Sequence, residues 1–115
     1  AVALVAERAT CGIALILAAE RRLPARRLVL VTPELPAEPL ARDLLVETLR
    51  AVEAETLILT GADEPEALAA AEWYASHLPN AVTRTADAGD APDGRMSLDD
   101  VWGEVVDFLT ATAVS

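Results

Sequence analysis

Residues 26–61, RRLVLVTPELPAEPLARDLLVETLRAVEAETLILTG, decide the fold of this chain. The stretch begins and ends with short runs, 26–32 and 55–61, that are rich in Leu, Val and Ile, which is typical of strands buried on both faces of a sheet. Residues 39–54 lie between these runs and place apolar side chains on one helical stripe. The stripe consists of Leu40, Leu44, Leu45, Thr48, Leu49 and Val52. The stretch therefore predicts a strand–helix–strand unit with parallel strands.

The same alternation continues on both sides of this unit. Strands are predicted at 1–6 (AVALVA) and at 81–87 (AVTRTAD), and the second is half polar, as expected near a sheet edge. Further helices are predicted at 8–22, 65–78 and 97–111. The sequence therefore predicts a single α/β domain over residues 1–115, with a mostly parallel four-stranded sheet and about four helices.

The composition narrows the classes of function. Hydrophobic residues make up 53% of 115 residues, which is enough for a real core and excludes a disordered tail. A net charge of −10 disfavours contact with a phosphate backbone, so nucleic acid is not an expected partner. A single Cys argues against a disulfide scaffold, and one Cys with one His argues against a structural zinc site. The sequence contains no glycine-rich phosphate loop, so no cofactor is expected. No apolar run is long enough for a membrane span, and we expect a cytoplasmic protein.

Four junctions carry a resemblance to a known family. They read VALVAERATCGIALILAAERRLPARRLVLVTP (2–33), LILTGADEP (57–65), SHLPNAVTRT (76–85) and DGRMSLDDVWGEVVDFLTA (93–111). In this order they resemble the C-terminal half of an α/β-hydrolase: the nucleophile elbow and its helix, the turn with the catalytic acid, the last strand, and the turn with the catalytic histidine. The resemblance covers nearly the whole chain and implies that its four strands correspond to the family's fifth to eighth.

The resemblance places the family's catalytic positions on Arg8, Glu64 and Arg95. The nucleophile position falls on Arg8 and the histidine position on Arg95, but a guanidinium stays protonated and can neither attack a carbonyl nor shuttle a proton. The acid position falls on Glu64, or on Asp63 with a one-residue slip, and either carboxylate is chemically adequate. Two members of the triad are therefore substituted, which argues against hydrolysis.

Other residues that could carry chemistry have structural interpretations. Ala6 and Thr10 stand at the two glycine positions of the elbow, where the turn is tight and strained. Cys11 is predicted to be a buried structural thiol, and His77 is predicted to cap the C-terminus of a helix. A run of aspartates does not match the spacing of a calcium loop and predicts a solvated acidic segment. This run consists of Asp87, Asp90, Asp93, Asp99 and Asp100.

Two interpretations of Arg8, Glu64 and Arg95 stay open. All three are expected at the carboxyl ends of strands, where α/β sheets bind ligands. They form either a salt-bridged cluster, or simply solvated charges, in a dead site, or a pocket in which two arginines bind a carboxylate or phosphate and Glu64 orients one of them. The second interpretation implies a small anionic ligand.

The order of the strands decides whether the chain can be a monomer. If the strands lie side by side in chain order, right-handed crossovers place the three connecting helices on one face. One helix, 97–111, is then left for the other face, and the first strand presents a bare apolar edge. Such a sheet needs further chain before Ala1, a second copy or another subunit. In a reversed, Rossmann-like order, helices cover both faces and a monomer is feasible.

Three hypotheses of function follow. The first is a catalytically degenerate α/β-hydrolase-like protein that acts as a binding or oligomerisation module, with a homodimer or another subunit covering the exposed sheet. The second is a serine hydrolase of esterase or thioesterase type, of which this chain is a truncated or divergent form. The third is a Rossmann-like binder of a small anionic ligand that uses Arg8 and Arg95.

Overall fold

A computed structural model describes residues 2–20, 25–61, 64–86 and 102–110. These ranges form the strands β1 (Val2–Glu7), β2 (Ala25–Val31), β3 (Glu55–Gly61) and β4 (Ala81–Ala86). They also form the helices α1 (Cys11–Ala19), α2 (Pro39–Arg50), α3 (Pro65–His77) and α4 (Trp102–Thr110), with a short 3-10 turn over Arg8–Thr10. The predicted α/β class is confirmed. Asp87, Asp90, Asp93, Asp99 and Asp100, the predicted acidic segment, lie outside the described residues.

The four described strands form one parallel sheet in the order β1-β2-β3-β4. This is the chain-order arrangement, and the reversed order is excluded for these strands. Glu7 lies opposite Val31, and Val31 lies opposite Leu59, so β1, β2 and β3 end at nearly the same level. Their carboxyl ends therefore share one edge of the sheet.

The helices α1, α2 and α3 cover one face of the sheet. Leu28, Leu30 and Ile58 project from β2 and β3 into this layer and are fully buried. The helices contribute Cys11, Ala14 and Leu15 from α1, Leu49 from α2, and Ala71 and Tyr74 from α3. This side of the sheet holds the larger of the two cores.

The helix α4 covers the centre of the opposite face. Its Val105 packs on Val29, Val31, Leu57 and Leu59, all of which are fully buried. The flanks are less covered, since Val82 of β4 is 54% exposed and Ala3 of β1 is also exposed. One helix therefore hides β2 and β3 on this face but leaves part of both edge strands open.

The apolar stripe predicted for α2 is only partly correct. Leu49 is buried against the sheet, but Leu40 and Leu44 are 68% and 62% exposed. At about 100° per residue, Leu40 and Leu44 are rotated by about 180° and 140° from Leu49, so they face away from the sheet. Ile13 and Ile16 of α1 are exposed as well, which leaves the outer surface of these two helices unusually apolar. No helix among the described residues is long and apolar enough to cross a bilayer.

Candidate ligand-binding cleft

An open cleft of about 800 Å³ lies where β1, β2 and β3 end. Its lining includes Arg8 after β1, the segment 32–35 after β2, and the first turns of α3 from Glu64 onwards. The residue Arg42 of α2 completes this part of the lining. Open parallel sheets bind their ligands in the crevice outside the carboxyl ends of the strands, which is the position of this cleft.

A tight turn fixes Arg8 at the end of β1. The backbone N–H of Glu7 donates to Thr10 Oγ1 at 3.0 Å, and this hydroxyl in turn donates to the carbonyl oxygen of Glu7 at 2.6 Å. Between these two residues, Arg8 takes a φ angle of 54°, in the left-handed region that a residue with a side chain rarely adopts. A turn with one strained residue therefore connects β1 to the helical segment that follows.

Thr32 occupies the corresponding position at the end of β2. Its φ angle is 44°, although a β-branched residue strongly disfavours this region. Its N–H donates to the carbonyl oxygen of Leu59 at 2.8 Å, which keeps Thr32 aligned with β3. The side chain is 4% exposed, and Oγ1 has no hydrogen-bond partner. Thr32 lines the cleft and therefore combines a strained backbone with a buried hydroxyl that has no hydrogen-bond partner.

Glu64 stands directly before α3 and folds back over the end of β3. Its N–H donates to the carbonyl oxygen of Gly61 at 3.4 Å, and its own carbonyl accepts from the N–H of Leu68 at 2.9 Å. A Cβ atom at Gly61 would collide with Oε2 of Glu64, so the glycine provides the room for this carboxylate. Oε2 is buried and has no hydrogen-bond partner. Asp63, the alternative acid position, lies outside the described residues.

Two hydrogen bonds hold the loop that follows β2. The hydroxyl of Tyr74 in α3 donates to the carbonyl oxygen of Glu34 at 2.6 Å. Nε of Arg42 in α2 donates to the carbonyl oxygen of Pro36 at 2.7 Å. Because the loop is tied to both helices, this wall of the cleft has a defined position.

The structure brings two of the three predicted site residues to one cleft. Arg8 and Glu64 both line it, whereas Arg95 lies outside the described residues and its role stays a prediction. Sequence reasoning missed Thr32, because a threonine before Pro33 gives no signal for a positive φ angle. It also missed Arg42, because a lone charge on a helix is normally solvated.

Cys11 and His77 have the structural roles that were predicted. Cys11 is 1% exposed, and burial raises the pKa of its thiol to about 12, so it does not supply a thiolate near neutral pH. Nδ1 of His77 donates to the carbonyl oxygen of Trp73 at 2.8 Å in the last turn of α3. His77 lies seven residues beyond Ala70, the last residue of α3 that lines the cleft, or about 10 Å farther along the helix axis.

The described lining of the cleft carries charged groups of both signs. It carries the guanidinium groups of Arg8 and Arg42 and the carboxylates of Glu34, Glu64 and Glu66. Within this lining no Ser, Cys or His is present to form a nucleophile–base pair. The groups that are present can form ion pairs and hydrogen bonds with a small molecule.

Comparisons of this chain with protein-family models, with curated proteins and with solved structures find no match.

Proposed function

We propose that this protein is a catalytically degenerate relative of the α/β-hydrolases that works by binding a small molecule rather than by hydrolysis. The observation that carries the proposal is the φ angle of 54° at Arg8, directly after β1. In the α/β-hydrolases the nucleophile sits on a strained strand-to-helix turn that exposes its side chain at the top of the sheet. A guanidinium at this turn is a fixed cation and not a nucleophile.

The topology supports the resemblance on which this proposal rests. The four strands lie in chain order, with α1, α2 and α3 on one face and α4 on the other. This is the arrangement that the resemblance implies for the last four strands of the family. The agreement concerns architecture, so the functional part of the proposal depends on the cleft.

The size and the lining of the cleft support binding of a small molecule. Its volume of about 800 Å³ lies within the range of roughly 300–1,000 Å³ that is usual for ligand sites. Charged groups of both signs converge on it from three different elements. A ligand would therefore be held by charge and hydrogen bonds at the edge of the sheet.

Turnover of p-nitrophenyl acetate tests the absence of hydrolysis. We expect the wild-type chain and Arg8→Ala to release p-nitrophenol at the same rate, no faster than free histidine at the same concentration. A saturable rate that exceeds this background and depends on the cleft would favour the serine hydrolase hypothesis.

The proposal includes self-association through the edge of β1. Val2–Glu7 form one edge of the described sheet, and the segment contains no proline and only one charged residue, Glu7. Two copies that pair their β1 strands about a two-fold axis would place the two Glu7 side chains at opposite ends of the contact. Pairing of β1 with β1 therefore does not place the two Glu7 carboxylates opposite each other. A cytoplasmic location is part of this proposal.

Light scattering after gel filtration tests this association. We expect the wild-type chain to be a dimer and Ala3→Lys to be a monomer, because a charge on an edge strand blocks pairing. Ala69→Lys makes the same change of charge at an exposed position of α3 and should stay dimeric. A wild-type chain that is monomeric at high concentration would contradict pairing through β1.

A further inference from the structure

We propose that α1 forms a second part of the contact between two copies of this chain, in which the α1 helices of both copies pack against each other through Leu17. The inference rests on the pairing through β1 that is proposed above, and it names the surface that completes that contact. Among the four described helices, α1 is the one without a charged residue. A helix that is apolar on all sides is normally buried on all sides, yet Ile13 and Ile16 of α1 are 63% and 46% exposed.

The side of α1 that carries Leu17 lies along the open edge of the sheet. The buried side of the helix is defined by Cys11, Ala14 and Leu15. At about 100° per residue, Ala19 lies about 90° from the centre of this side in one sense, and Leu17 lies about 110° from it in the other. A right-handed crossover from β1 to β2 turns the side with Ala19 toward α2 and the side with Leu17 toward the open edge of β1. In agreement with this, Ala19 packs on the core, and Leu17 is half-buried.

Leu17 lies at the level of the middle of β1. Sγ of Cys11 is 3.9 Å from the carbonyl oxygen of Val31, which lies opposite Glu7 at the carboxyl end of β1. From Cys11 the helix runs back along the strand, and six residues advance it by about 9 Å. This distance corresponds to about three residues of a strand, so Leu17 reaches the level of Leu4. Leu4 packs on the helical face of the sheet and is also half-buried, so both leucines line the open edge on this face.

The two-fold axis of the β1 contact brings the two α1 helices to packing distance. Antiparallel strands of one sheet are related by an axis perpendicular to the sheet, so both copies have α1 on the same face. The helix α1 contacts both β1 and β2, so its axis lies over these two strands. Across the contact, the two helix axes are then separated by about two strand spacings, or about 10 Å. Packed helices are about 8–10 Å apart, so the two α1 helices meet when the strands pair.

Area and charge both favour a second copy at this edge. A strand of six residues is about 20 Å long and a sheet layer is about 10 Å thick, so the β1 edge alone offers roughly 200 Å². Stable interfaces bury about 800 Å² on each partner, so strand pairing alone falls short, and α1 adds a second layer of about 10 Å. Because Cys11–Ala19 carry no charge, this segment places no like charges opposite each other when two acidic chains meet.

Disulfide cross-linking of the full chain tests this contact. In Leu17→Cys the new thiols of the two copies lie near the two-fold axis, whereas in Ile16→Cys they lie on the side of α1 that faces away from the sheet. The native Cys11 is 1% exposed, so it contributes no background. After oxidation with copper phenanthroline, non-reducing electrophoresis should show about tenfold more covalent dimer for Leu17→Cys than for Ile16→Cys, because a disulfide requires close approach of the two residues. Equal yields in the two variants overturn the proposal.

A positive charge at the same two positions provides a second measurement. Leu17→Lys places two ammonium groups opposite each other near the axis and should raise the dissociation constant of the dimer about a hundredfold, as measured by light scattering over a range of concentrations. Ile16→Lys makes the same change at an exposed position of α1 and should leave the constant unchanged. Circular dichroism checks that both variants are folded. A Leu17→Lys chain that dimerises as tightly as the wild-type chain contradicts the contact between the helices.

The outcomes separate this contact from the association on which it rests. If the wild-type chain is a dimer that Ala3→Lys dissociates but Leu17→Lys does not, the pairing through β1 stands and the contact between the α1 helices is wrong. A wild-type chain that is monomeric at high concentration contradicts both the pairing and the helix contact.

Discussion

Arg8 and Thr32 occupy neighbouring positions where β1 and β2 end, and both have positive φ angles. Because Glu7 lies opposite Val31 in the parallel ladder, the next residue of each strand stands at the same level. The angles are 54° at Arg8 and 44° at Thr32, and no other described residue except glycine has a positive φ. Each angle costs about 1–3 kcal/mol, and such strain is typically found at functional sites. Both residues line the cleft, so the strain of the described backbone is concentrated there.

Replacement of Arg8 by glycine is expected to stabilise the fold. Glycine takes a positive φ without steric cost, so Arg8→Gly should raise the free energy of unfolding by up to about 1 kcal/mol, after allowance for the greater freedom of glycine in the unfolded chain. Urea denaturation measures the change. Glu72→Gly is the control, because it lies at an exposed position inside α3 and should lower stability by about 1 kcal/mol. If the two variants are destabilised equally, the turn at Arg8 is not strained.

The pair Gly61 and Glu64 gives a second prediction. In Gly61→Ala the new Cβ collides with Oε2 of Glu64, and the flexible carboxylate moves out of its buried position. We expect a loss of stability below about 1 kcal/mol, because the obstacle is the end of a side chain and not backbone. In the Glu64→Ala background, Gly61→Ala should no longer destabilise, which a double-mutant cycle by urea denaturation measures. Additive effects of the two changes would show that the contact does not exist in solution.

A third prediction concerns Arg27, which fastens α4 to the sheet. Its guanidinium donates a hydrogen bond to the carbonyl oxygen of Phe108, lies 5.5 Å above the ring of the same residue, and has Nε 3.8 Å from Oε2 of Glu55. Arg27→Met should lower the free energy of unfolding by about 1.5–3 kcal/mol, the usual range for a hydrogen bond that involves a charged group. Amide hydrogen exchange should show the loss of protection first in α4.

The neighbouring arginine provides the control for this prediction. Arg26 is exposed on the same strand, so Arg26→Met makes the same chemical change without the contacts to α4. Its effect on stability should stay within about 0.5 kcal/mol. Similar losses in both variants would mean that charge, rather than the contact with Phe108, determines the effect.

The sequence predicted the α/β class and two residues of the cleft, Arg8 and Glu64, but neither the strand order nor the rest of the cleft lining. The apolar runs of β2 and β3 and the helical spacing between them predicted the strand–helix alternation, because burial of entire strands requires such runs. Periodicity does not determine strand order, which depends on how the crossovers pack. The exposed Leu40 and Leu44 show a similar limit, because the apolar stripe predicted for α2 does not determine which side of the helix packs on the sheet. A threonine before a proline gives no local signal for a positive φ angle, so the angle at Thr32 was not predicted.

Stability at alkaline pH should depend on two buried acids. Burial raises the pKa of both Cys11 and Tyr74 to about 12, from ordinary values of 9.0 and 10.0. The folded chain keeps these protons where the unfolded chain releases them, so both groups contribute stability that is present below pH 9.0 and is lost as the pH rises to about 12. Urea denaturation should show a falling free energy of unfolding in this window.

The cysteine contribution to this slope can be separated from that of the tyrosine. Between pH 9.0 and pH 10.0 the unfolded chain releases mainly the proton of Cys11, so Cys11→Ala should flatten the fall there while lowering stability overall. A thiol reagent such as Ellman's reagent should modify the folded wild-type chain only after unfolding. Fast modification under native conditions, or an unchanged slope in Cys11→Ala, would contradict the buried position of the thiol.

Treatment with a fluorophosphonate probe, followed by intact mass spectrometry, determines whether the folded chain has an activated nucleophile. The probe forms a covalent bond with an activated serine hydroxyl, whereas the proposed function has the guanidinium of Arg8 at the position where that hydroxyl would act. We expect the mass of the wild-type chain to stay unchanged under conditions that label a serine esterase completely. Stoichiometric addition of the probe to any residue of the folded chain would show an active nucleophile and contradict a function based on binding.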